Sequence, residues 1–239
     1  MDFGIARALA DSGNSVTHGY DAQWGGNHTD AWAGGGNNFN QVMTTVLTQN
    51  GFAWRGSSVP SFGCFIASCR PMWAVANVVS GNGQYNGVNG DGFSDVKYLE
   101  SHDENRIVWA VDSYGSAGAQ AVGGLQKSRV GALALFTSVG IPMLFSGQEI
   151  GSDEFRAADP TLFTPNFVGG DQALRTFYRS LIRLRLESPA LWTDHIFWQW
   201  RGDGSDHTEN TVNYWRGTTD TAANAEVVVR PFAVQVSLN

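Results

Sequence analysis

Val96-Lys97-Tyr98-Leu99-Glu100-Ser101-His102-Asp103-Glu104-Asn105-Arg106 runs apolar and aromatic residues straight into a packed cluster of ionisable groups, with no spacer. A strand buried on both faces reads this way when its C-terminal end delivers side chains to a functional mouth. A purely structural strand more often leaves into Gly, Asn or Pro turn residues. The residues before this stretch carry a second signal: no Glu occurs anywhere ahead of Glu100.

Outward from that stretch, the chain alternates strand and helix signals. Ser15 to Trp24 reads as a short strand ending in a polar-aromatic tip. Asn37 to Asn50 reads as a helix, with Phe39, Val42, Met43 and Leu47 on one face. From Gly51 to Gly92 the signal is poor, and Ser80 to Gly92 is made almost wholly of turn formers. A strand is expected over 95–101, a largely apolar helix over 128–139, and from Gly140 to Glu149 an apolar strand, near 142–147, with a polar tip. Asp171 to Ser188 is the clearest helix. Asp171 caps it, Leu174, Phe177, Tyr178 and Leu181 form its buried stripe, and Pro189 stops it.

After Leu191 the texture changes to short strands, over 195–200, 211–215 and 226–229, separated by Gly, Asp and Thr turns. The boundary is placed near residue 193. Residues 1–193 are then an α/β part and 194–239 the start of an all-β part. Repeated βα units put functional residues at the strand C-termini. A doubly wound nucleotide fold would need a Gly-rich first turn, and Tyr20-Asp21-Ala22-Gln23-Trp24-Gly25-Gly26 is not such a fingerprint.

Composition narrows the partners. Of 239 residues, 42% are hydrophobic and 15% charged, a globular balance. The net charge of −7, with Lys97 and Lys127 as the two lysines, argues against nucleic acid. No apolar run is long enough for a membrane helix. Asp2, Arg7 and Asp11 break up any signal-peptide pattern at the start. Cys64 and Cys69 lack a second ligand pair for zinc and read as two thiols or a local disulfide. His28 and Asp30 are too few for a metal site. Nine Trp permit stacking platforms for flat apolar ligand faces, although packing is the safer reading for Trp32, Trp54 and Trp109.

Three stretches resemble the α-amylase family of glycosidases and transglycosidases, glycoside hydrolase family 13. Leu99 to Arg106 looks like its fourth signature, a strand ending in an Asn/Ser-His-Asp triplet. Gly140-Ile141-Pro142 through Gly147-Gln148-Glu149 looks like its Gly-x-Pro…Gly-x-Glu motif on the eighth barrel strand. Gly19-Tyr20-Asp21-Ala22-Gln23-Trp24 is similar to a sixth-strand stretch of branching-type members. The resemblance covers roughly residues 15 to 190. It implies the C-terminal portion of a (β/α)8 barrel, about strands six to eight, followed by a β domain.

The implied chemistry is retaining cleavage of α-1,4-glucosidic bonds in starch, glycogen or maltooligosaccharides, with no cofactor. Such enzymes set a carboxylate nucleophile and a carboxylic acid/base about 5–5.5 Å apart around an oxocarbenium-like transition state. By the match, Asp103 is the third carboxylate, gripping sugar hydroxyls through charge-assisted hydrogen bonds that strengthen in the transition state. His102 donates to a hydroxyl of the same sugar. Arg106, Asp21 and Glu149 are further substrate-binding candidates, with Arg106 placed to orient Asp103 or Glu104. Ser101-His102-Asp103 is not a hydrolase triad, because adjacent strand residues face opposite ways.

The family's nucleophile stands in a Gly-x-Arg-x-Asp stretch. The nearest match, Gly4-Ile5-Ala6-Arg7-Ala8-Leu9-Ala10-Asp11, has helical spacing. The family's acid/base Glu also has no counterpart ahead of Glu100. The expectation is a piece of a longer enzyme, inactive by itself. A branching-type transglycosidase and a non-catalytic glucan- or partner-binding module are the alternatives.

Overall fold

The structure of the chain is a computed structural model and describes residues 23–24, 39–48, 71–80, 95–102, 104–155, 167–200, 212–219, 222–229 and 234–238. Strand β1 (Gln23–Trp24), β2 (Asp95–Tyr98) and β3 (Ile141–Met143) form one sheet in the order β1-β2-β3, with both pairings parallel. The register sets Val96 against Ile141 and Tyr98 against Met143. Parallel strands in this register leave the sheet at the same edge. The residues after Tyr98 and those after Met143 therefore emerge side by side.

The strands are shorter than the sequence pattern predicts. The chain bends at Leu99, and after Met143 it turns into a 3-10 turn at Gln148–Ile150. Lys97 is buried inside the sheet. Its Nζ donates to the Val78 and Val79 carbonyls, at 2.5 and 3.2 Å, and so satisfies the C-terminus of helix α2 (Pro71–Ser80). A lysine at a strand centre is stable only with such partners.

Helix α1 (Phe39–Thr48) buries Phe39, Val42, Met43 and Leu47, the face expected of it. Helix α2 falls in the stretch whose sequence signal is poor. Between β2 and β3 the chain forms three helices and not the one expected: α3 (Ile107–Tyr114), α4 (Ala117–Val122) and α5 (Gly124–Thr137). Helix α5 starts four residues earlier than the apolar run suggests. The Gly124 N–H is capped from outside the helix by Asp112 Oδ1 at 2.8 Å, a tertiary contact that no local pattern announces. Helix α5 is buried on nearly every side from Lys127 to Thr137, and packs between α3 and helix α6 (Gln172–Glu187). In α6, Asp171 Oδ1 accepts from Leu174 N at 2.6 Å, and Leu174, Tyr178 and Leu181 are buried.

A short 3-10 turn, Pro189–Trp192, leads to an antiparallel sheet of β4 (Ile196–Trp200), β5 (Val212–Thr219), β6 (Ala222–Val229) and β7 (Val234–Leu238), in sequence order. Val212 and Tyr214 of β5 belong to the same buried apolar cluster as Leu133 of α5 and Leu174 of α6. The antiparallel sheet and the α/β part share that core. No helix among the described residues is long and apolar enough to cross a membrane.

Candidate functional site

The site is built where β2 and β3 leave the parallel sheet. Glu100 and Arg106 bracket the segment that follows β2. Both are buried, at 1% and 0% exposure, and Arg106 Nη1 meets Glu100 Oε2 at 2.9 Å. The other oxygen, Oε1, accepts from the Ile107 backbone N–H at 3.0 Å, at the first turn of α3. Arg106 also reaches across to the exit of β3. Its Nη2 donates to the Ser146 carbonyl at 2.8 Å, and its guanidinium lies 4.4 Å over the Phe145 ring. Its Nε contacts Glu154 Oε2 at 3.2 Å.

Between these ends, Glu104 is buried and accepts from Tyr98 OH at 3.3 Å and from Ser101 Oγ. Asn40 of α1 donates to the Leu99 carbonyl from beneath. His102 is exposed. The sequence thus places an exposed imidazole within a loop whose base is buried and ion-paired.

The electrostatics follow from burial. Loss of solvent pushes the Glu100 carboxyl above the usual carboxylate range, and the Arg106 guanidinium and the Ile107 N–H pull it back only in part. Below this pair, Tyr178 OH is held by Gln148 Nε2 at 2.9 Å and by Ser128 Oγ at 3.3 Å. Burial, and then the nearby Glu100 charge, push its ionisation well up, so it stays a neutral phenol.

The candidate residues fare differently. His102 is exposed on the loop that follows β2. Arg106 is buried and bonds Glu154, Glu100 and the Ser146 carbonyl. Glu104 is oriented by Tyr98 and Ser101. Glu149 is half-buried at the exit of β3, and its Oε2 accepts from the Gly147 N–H at 3.0 Å within its own turn. Asp103 and Asp21 lie outside the described residues, as do Cys64, Cys69, His28, Asp30, Trp32 and Trp54. Trp109 stacks on Phe155 at 4.4 Å and meets Tyr114 edge-on at 4.9 Å, a packing role as expected. Sequence reasoning missed the roles of Glu100 and Glu154. The first had a signal, an acidic residue directly after the apolar strand end Leu99 with Arg106 just beyond. The second had none, because 48 residues separate it from Arg106. Among the described residues no group of His, Cys, Asp and Glu is arranged to hold a metal ion.

No family model matches the chain. Alpha-amylase 2 of Dictyoglomus thermophilum is 26% identical over 115 residues, covering 43% of this chain and 18% of that protein. The crystal structure of an Anoxybacillus alpha-amylase is similar at a TM-score of 0.55 and 18% identity, over 93% of this chain and 37% of that one. A mutant pullulanase from Paenibacillus barengoltzii, complexed with maltotetraose, gives a TM-score of 0.57 at 16% identity, over 93% of this chain and 33% of that one. The chain spans less than half the length of each of these proteins. The structural likenesses carry the fold, that of (β/α)8-barrel glycosidases. Together with the sequence match, they relate this chain, over part of its length, to the α-amylase family.

Proposed function

We propose that the chain belongs to a retaining enzyme that cleaves α-1,4-glucosidic bonds, and that it supplies the His102–Asp103 part of the sugar-binding mouth. The observation that carries the reading is the shared exit of the parallel strands β2 and β3, which brings Arg106, just past the Ser-His-Asp triplet, against Ser146 of the Gly-x-Pro…Gly-x-Glu stretch. Barrel enzymes gather their chemistry at this edge. The maltotetraose bound to the Paenibacillus relative supports an α-glucan as the ligand.

In this reading residues 1–193 are the last strands and helices of the barrel, about the sixth to the eighth, and 194–239 begin the β domain. Asp103 grips two sugar hydroxyls of the reacting unit, and its bonds strengthen as the ring flattens. His102 donates to a hydroxyl of the same unit. Positioning of this kind raises the rate only when a nucleophile and an acid stand across the bond. The chain by itself is therefore expected to bind glucan and not to turn it over.

The test is calorimetric titration of the chain with maltotetraose, beside Asp103→Asn and a starch-hydrolysis assay. The expected result is binding that weakens about ten-fold or more in Asp103→Asn, because a charge-assisted pair is replaced by neutral bonds. Equal binding by the variant overturns the role of Asp103. Turnover of starch by the chain alone overturns the assignment of its part in the chemistry.

A further inference from the structure

We propose that Arg106 and Glu100 form a clamp that positions the His102–Asp103 loop, so that Arg106 is a positioning residue and not a sugar contact. The inference rests on the function proposed above. Glu100 is the last residue before the loop 101–105, and Arg106 is the first after it. Their ion pair at 2.9 Å ties the two ends of the loop together. The same carboxylate holds the Ile107 N–H, which fixes the loop's far end to the start of α3.

Arg106 then fastens this closed base to the neighbouring strand. Its Nη2 bonds the Ser146 carbonyl and its plane lies over Phe145, so the exit of β3 serves as the anchor. Within the loop, Glu104 is braced by Tyr98 and Ser101. Ser101, Glu104 and Asn105 are buried, while His102 is exposed. The arrangement restrains the described ends of the loop, at Ser101 and from Glu104 to Ile107, before any ligand arrives. A site held this way loses less conformational entropy on binding. The guanidinium fork meets Glu100, Glu154 and the Ser146 carbonyl at once, through Nη1, Nε and Nη2, and a lysine ammonium lacks that geometry.

The experiment compares Arg106→Lys with Arg216→Lys, a second buried arginine that bonds the carbonyls of Thr137 in α5 and of His195 just ahead of β4. Amide hydrogen exchange is read for Ser101 to Asn105, with the Leu133 and Ala134 amides of α5 as internal reference, and maltotetraose affinity is measured by calorimetry. In Arg106→Lys, exchange in the loop is expected to quicken about ten-fold and affinity to fall by a similar factor, while the α5 amides hold. Glu100→Gln, which keeps the side-chain shape, moves both readouts the same way by less. Arg216→Lys lowers the melting temperature and leaves both readouts unchanged. Loop exchange and affinity that change no more in Arg106→Lys than in Arg216→Lys overturn the clamp. If the wild-type chain binds no maltotetraose, the glucan reading falls, and loop exchange alone then decides whether the clamp stands.

Discussion

At the residue scale, Glu100 carries the sharpest consequence. Its carboxyl is buried and its ionisation is raised, with the Arg106 charge as the largest opposing influence. A carboxylate whose folded pKa is raised contributes stability that is fully present below its unfolded pKa, and that contribution is lost as pH rises through the folded value. Replacing Arg106 by Met takes away the guanidinium and lifts the folded value further. More stability is then lost on going from acid to neutral pH. Stranding one member of a buried ion pair costs about 3–5 kcal/mol. Urea denaturation of Arg106→Met and wild type at pH 4 and pH 7.5 checks this. The gap between the two proteins is expected to be wider at pH 7.5, and a gap that narrows contradicts the pairing.

At the scale of elements, helix α5 is the organiser, and its two ends are held by different means. The N-terminal end approaches α3 so closely that a Cβ on Gly124 would sit 2.6 Å from the Val108 carbonyl oxygen and 2.7 Å from its Cα. These are backbone atoms, which cannot swing aside. Gly124→Ala improves helix propensity by about 1 kcal/mol. It must nevertheless push two helices apart, at a cost of about 1–3 kcal/mol. A net loss is expected, together with weakening of the Asp112 cap, and thermal melting followed by circular dichroism reads it. A variant as stable as wild type would mean that α3 and α5 slide apart freely.

The other end of α5 is capped by two arginines from distant parts of the chain. Arg185 of α6 donates to the Ser138 carbonyl at 2.6 Å and the Phe136 carbonyl at 3.3 Å. Arg216 of β5 donates to the Thr137 carbonyl at 2.6 Å and the His195 carbonyl at 3.1 Å. Cations at a helix C-terminus meet both its free carbonyls and the negative end of its dipole. Burial pushes both guanidiniums down to about 10, which leaves them charged at neutral pH.

For the whole molecule, this cap joins the antiparallel sheet to the α/β part. Tyr214 adds a bond to Thr137 Oγ1 at 2.7 Å, and burial raises its ionisation to about 12. Arg216→Met strips buried carbonyls of their donor, at about 1–3 kcal/mol each. At about 3 kcal/mol in total, and about 2–4 °C of melting temperature per kcal/mol in a chain of this size, a fall of roughly 6–12 °C is expected. Scanning calorimetry should show one transition in wild type and a single lowered one in the variant, because the core is shared. A variant in which only one of two separate transitions moves would mean that the sheet folds independently of the rest.

What the sequence determined by itself was local. The stripe of α1, the Asp171 cap and buried stripe of α6, and the strand at 95–98 followed by its charged loop all follow from side-chain periodicity and capping chemistry, which act over a few residues. The motif order from Leu99 to Arg106 and from Gly140 to Glu149 also told the family relationship. Tertiary structure decided the rest. Helices α2 and α3 are mainly apolar with little polar contrast, so their faces show only once neighbours surround them. The start of α5 depends on Asp112, and the place of Lys97 depends on the carbonyls of α2. Arg106 reads in sequence both as a substrate-binding candidate and as a residue placed to orient Asp103 or Glu104. Its burial emerges only when the parallel register sets Ser146 and Phe145 beside it, because an arginine's role is settled by which acceptors the fold brings within reach of its fork.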